Sequence, residues 1–101
     1  MHIVVPGHKY TLDSHRVDGV KQQVQFVEMQ AAPGARLVEA CDGTTNEELL
    51  SVLIDRLSFL NTVVPCGHNI NALVNVKRAL ACLKKRSSDR QARGVQGIRV
   101  R

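Results

Sequence analysis

Aromatic side chains are almost absent: there is no tryptophan, one tyrosine and two phenylalanines in 101 residues. A large aromatic core is therefore excluded, and any aromatic in an unusual position invites a reason. Cysteines are few and unpaired. Cys41, Cys66 and Cys82 form no CxxC motif and are odd in number, which fits reduced thiols and excludes a disulfide framework. Cys66-Gly67-His68 has the residue types of a metal site, but no second ligand pair follows it, so no metal is expected. No stretch approaches the roughly 18 apolar residues of a membrane span. The opening MHIVVPGHKY lacks both the apolar length and the cleavage pattern of a signal peptide, so a soluble cytosolic chain is expected.

Catalytic spacing is missing as well. There is no glycine-rich phosphate loop, and no Ser-His-Asp or Cys-His arrangement. Glu47, Glu48 and Asp55 fall at helix-cap and surface positions, and His2, His8, His15 and His68 are scattered over loops. No catalytic residue and no cofactor is expected, and an enzyme is poorly supported.

What the chain does have is a sharp charge asymmetry. Residues 1–76 hold 5 basic and 8 acidic side chains, a net of −3, whereas residues 77–101 hold 9 basic and 1 acidic, a net of +8. Such a segment is either a solvated helix end or a surface for phosphates or nucleic acid.

Patterning predicts an α+β fold in one domain: a small N-terminal antiparallel sheet (1–41), an antiparallel helical hairpin (44–94) and a basic tail (95–101). "HIVV" and "HKYTL" read as strands joined at Pro6-Gly7. Asp18-Gly19 suits a tight hairpin turn, after which Val24, Phe26 and Glu28 fall on one face of a continuing strand and Val27 and Met29 on the other. Ala31-Ala32-Pro33-Gly34 ends it, and "ARLVEAC" gives a further strand. Thr44 or Thr45 can each open a helix as a capping box with Glu47 or Glu48. Leu49, Leu50, Leu53, Ile54, Leu57 and Leu60 recur at helical spacing up to Pro65. A second helix begins between Gly67 and Asn71, carries Ile70, Leu73, Val74, Val76, Leu80 and Leu83, and reaches about Arg93, with Gly94 as its stop.

Four residues form a candidate site. Arg86 and Arg90 are four apart and share a helix face, a spacing that suits a diphosphate, because each guanidinium fork matches phosphate oxygens bidentately. Phe59 lies ten residues before Asn69, across the hairpin tip; a flat ring can stack a purine and an amide can read a base edge or a ribose hydroxyl. The plain alternatives are a core Phe59 and an Asn69 that caps the second helix.

The segments "GHKYTL", "QVQFVE", "DGTTNEELLSVLIDRLSFLN", "PCGHN", "RALACLKKR" and "DRQARGVQG" resemble a family of small phage proteins sharing a helical hairpin, the Thoeris anti-defence and anti-CBASS cyclic-nucleotide sponges, and the N-terminal strands are closer to the Thoeris type. The resemblance covers roughly residues 7 to 97. It departs from the family pattern at Lys77 and Arg78, where two acidic residues are usual, and at Gly67 and His68, where a charged pair is more common. It implies a protein that sequesters a cyclic nucleotide immune messenger in the cytoplasm of the infected bacterial host without cleaving it. The implied ligand is a cyclic ADP-ribose isomer, with cyclic di- or trinucleotides at separate sites in some relatives. The implied contacts are Phe59, Asn69, Arg86 and Arg90 in a site between protomers of a homo-oligomer, with a dimer as the minimal unit and a hexamer as the larger assembly. The alternative reading is a small basic nucleic-acid-binding or virion-associated phage protein.

Overall fold

The computed structural model describes residues 1–92, which fall into two compact units, Met1–Thr45 and a second beginning at Asn46. The first holds five strands in two small antiparallel sheets, and the second is a pair of helices: an α+β fold, as the patterning predicts.

In the first unit β1 (His2–Val5) turns at Pro6-Gly7 into β2 (Lys9–Leu12). Gly7 has φ +79°, a conformation that suits glycine, and the His8 N–H donates to the Val5 carbonyl at 2.9 Å. β3 (Gln22–Gln25) pairs antiparallel with β2, setting Tyr10 opposite Val24. The connection between them is longer than the tight hairpin expected at Asp18-Gly19. It spans residues 13–21, and Gly19 does not have positive φ. Space is tight there: a Cβ would meet the Ser14 hydroxyl, which would have to turn aside.

The long strand expected after Asp18-Gly19 is in fact two. β3 ends at Gln25, and β4 (Glu28–Ala31) pairs with β5 (Leu37–Cys41) in a separate sheet. The break falls at Phe26-Val27, where the backbone bonds go elsewhere. The Phe26 N–H donates to the His8 carbonyl at 2.7 Å, the Val27 N–H donates to the Thr44 carbonyl at 2.9 Å, and the Thr44 N–H donates to the Gln25 carbonyl at 2.8 Å. Phe26 packs edge-to-face against Tyr10, with ring centroids 6.0 Å apart. Two of the three aromatics are thus paired within this unit.

The second unit contains α1 (Asn46–Val63) and α2 (Gly67–Ala92). Since α1 starts at Asn46, Thr45 occupies the cap position and Glu48 the third helical position; Thr44 is held by the backbone bonds just described. The connection of residues 64–66 is short, so the helices are antiparallel neighbours. Their seam is half-buried. From α1 it takes Leu49, Leu50, Ile54, Leu57 and Leu60, and from α2 Leu73, Val76, Leu80 and Leu83. Leu53, Ile70 and Val74, expected in the stripes, are exposed instead, because each lies at the margin of its helix's seam. The expected helix end at Arg93 and Gly94 and the tail 95–101 lie outside the described residues. Among the described residues no side chain is fully buried, and no helix is long and apolar enough to cross a membrane.

Candidate functional site

The hairpin tip is built by backbone bonds and one side chain. α1 closes with the Val64 N–H donating to the Leu60 carbonyl at 3.0 Å. α2 opens with the Ile70 N–H donating to the Cys66 carbonyl at 3.1 Å, which makes Cys66 its cap residue. Between them the Asn61 side chain reaches across, its Oδ1 accepting from the Cys66 N–H at 3.0 Å. Asn61 was not among the candidates read from sequence. The available signal was an amide-bearing residue four before Pro65 on the helix face that carries Leu57, where an apolar side chain would be ordinary.

Phe59 stands on α1 four residues before its end and is 65% exposed. It lies on the face turned away from the seam, at heptad and one-turn spacing from Val52 and Val63, which are 55% and 62% exposed. Within one chain it is not a core residue. Thr62, one turn on, donates from its Oγ1 to the Phe59 carbonyl at 2.6 Å. Asn69 is the third residue of α2, past the cap position, so it does not cap the helix. It is half-buried and opens the seam row continued by Leu73, Val76, Leu80, Leu83 and Ser87. The tip therefore presents an exposed ring on one helix and a partly shielded amide on the other.

Arg86 and Arg90 lie on α2 one turn apart, Arg86 exposed and Arg90 half-buried. With 3.6 residues per turn they fall about 100° and about 60° to the same side of the seam row, so both guanidinium groups can serve one ligand. The fork and the tip are not brought together within one chain. Arg86 is 17 residues beyond Asn69 on the same continuous helix, roughly 25 Å at 1.5 Å per residue. Among the described residues no three His, Cys, Asp or Glu side chains converge to hold a metal. The arrangement offers groups suited to stacking, amide recognition and phosphate binding.

No family model matches the chain. Over 57 residues it is 39% identical to a protein named Thoeris anti-defense 1 from Bacillus phage SBSphiJ7, a match covering 55% of this chain and 40% of that relative. The chain thus aligns with less than half the length of the relative. The likeness is to a Thoeris anti-defence protein over the aligned residues.

Proposed function

We propose that this chain is a phage anti-defence sponge that binds and sequesters a cyclic nucleotide immune messenger, foremost a cyclic ADP-ribose isomer, without cleaving it, in the cytoplasm of the infected host. The likeness to a Thoeris anti-defence protein supports the biological role. The observation that carries the site is the placement of Phe59: the one aromatic on the hairpin is 65% exposed at the tip, in the same turn region as Asn69. A chain with so few aromatics leaves one in water at the tip because a ligand stacks on it.

The distance between tip and fork supports a shared site. A compact cyclic nucleotide cannot span roughly 25 Å, so Arg86 and Arg90 come from a second chain whose hairpin runs antiparallel against the first. Twofold symmetry then creates two sites per dimer. The exposed apolar residues Val52 and Val63, on the face of α1 turned away from the seam, offer surface for such packing. Among the described residues no side chain is fully buried within one chain, which gives assembly a driving force, since a buried Val or Leu contributes about 1.5–3 kcal/mol. A dimer is the minimal binding unit, and a hexamer is built from dimers.

Mass spectrometry of small molecules released by heat from protein exposed to an activated immune-enzyme lysate tests the reading. Intact cyclic nucleotide in stoichiometric amount supports a sponge. A linearised product would make the chain a hydrolase, and no nucleotide at all would refute the reading. The cations of α2 favour one other reading, a surface for nucleic-acid backbones. A gel shift against duplex DNA in a salt series separates the two.

A further inference from the structure

α2 carries more cations than a two-arginine fork needs. Lys77, Arg78, Lys84, Lys85, Arg86 and Arg90 stand against Asp89 alone, a net of +5 along one helix. On the same angular scale Lys77 and Lys84 fall about 80° and about 60° from the seam, on the side opposite the fork, while Arg78 and Lys85 lie nearly opposite the seam. All four are exposed. None has an ion-pair partner among the described residues. Compensation of the helix dipole does not account for them, because that effect is confined to the last turn and Lys77 and Arg78 sit in the middle of the helix.

Neighbouring residues on a helix point in different directions, so Lys85 does not share the Arg86 face, and Lys84 points away from it. These four side chains cannot bind the same phosphates as the fork of their own chain. Their charge nevertheless acts at the fork. Lys85 and Lys84 are one and two residues from Arg86 along the chain, and the other pair is two turns further, within one to two Debye lengths at about 0.1 M salt.

Resting on the proposed binding of an anionic nucleotide, we propose that Lys77, Arg78, Lys84 and Lys85 form an electrostatic collecting surface: they raise the local concentration of small anions around the Arg86/Arg90 fork and speed capture without touching the bound ligand. A sponge competes with the effector for a messenger present at low concentration, so the rate of capture matters as much as the final affinity.

The chain has no tryptophan, so Ala79→Trp, two turns before Arg86 on the same helical row and exposed, creates a unique fluorescent reporter beside the fork. Quenching by iodide is compared with quenching by neutral acrylamide, in the Ala79→Trp background with and without Lys77→Gln, Arg78→Gln, Lys84→Gln and Lys85→Gln together. At low ionic strength the iodide-to-acrylamide ratio should fall about threefold on neutralisation and be restored by Lys-for-Arg and Arg-for-Lys exchange at the four positions. Stopped-flow capture of a cyclic ADP-ribose isomer, without the reporter, should show an association rate reduced about tenfold at low salt. The dissociation rate should be unchanged, and the rates of the two proteins should converge at high salt.

An unchanged quenching ratio would overturn the collecting surface. So would a faster dissociation at unchanged association, which would make the four residues ligand contacts. A quenching ratio that falls as expected in a protein that captures no cyclic nucleotide would leave the surface standing and remove the sponge reading.

Discussion

Asn61 and Cys66 close the hairpin tip: the Oδ1 of Asn61, in the last turn of α1, accepts the Cys66 N–H at 3.0 Å, just before α2 begins. This bond ties together the chain ends that carry Phe59 and Asn69. Asn61→Ala removes the acceptor and leaves a half-buried N–H without it, at a cost of about 1–3 kcal/mol. Amide exchange at Cys66 should quicken while the middle of both helices keeps its protection. Unaltered exchange there would show that the bond contributes nothing to the tip.

Phe59→Ala should leave the melting curve close to that of the parent, because a side chain 65% exposed buries little area. Ligand affinity should fall by about 1–3 kcal/mol, the loss of one stacking platform. Calorimetry and thermal unfolding on the same variant decide it. A variant that unfolds, with normal affinity in the folded fraction, would place Phe59 in a packed interface rather than at a ligand.

Arg86→Glu and Arg90→Glu should each abolish capture, since reversing one arm of a fork leaves a carboxylate facing a diphosphate. Arg101→Glu, in the tail beyond the described residues, should have no such effect. Isothermal titration of all three separates a specific fork from diffuse attraction, for which the losses would be equal.

Sharing of the site between chains can be tested by complementation. A Phe59→Ala/Asn69→Ala chain and an Arg86→Glu/Arg90→Glu chain should each fail to bind as homodimers. Their heterodimer has one interface with all four native residues and should regain one site of near-normal affinity per dimer. Assembled but inactive heterodimers would rule out a site across the interface.

Gly43→Ala should destabilise the sheet unit by about 1–3 kcal/mol. A Cβ at this position would stand 2.6 Å from the Phe26 carbonyl carbon and 2.8 Å from its oxygen, too close for any side chain. Backbone on both sides is fixed by the Thr44 bonds to Gln25 and Val27, so neither strand can yield cheaply. Denaturant unfolding measures the loss; a neutral substitution would mean that the two segments slide apart at no cost.

Much of this was legible in the residues themselves. Leucine spacing and the threonine–glutamate pairs placed α1, and Pro65 marked its end, because helical periodicity and capping are local properties that short windows contain. The Pro6-Gly7 turn was equally local. The i, i+4 arginine pair followed once α2 was recognised.

What needed tertiary structure was every decision between local alternatives of similar energy. Residues 20–31 read as one strand, and only the bonds of Phe26, Val27 and Thr44 to partners distant in sequence divide it between two sheets. Thr44 and Thr45 were equivalent caps until the same bonds withdrew Thr44. Asn69 read as a cap or a ligand contact until Cys66 took the cap position, and Phe59 read as core or site until packing turned it outward from the seam. The sequence by itself determined the two helices of the hairpin and which side chains carry charge. The long-range packing of those elements alone decided which side chains face a partner and which face water, because that choice depends on contacts between residues far apart in the chain.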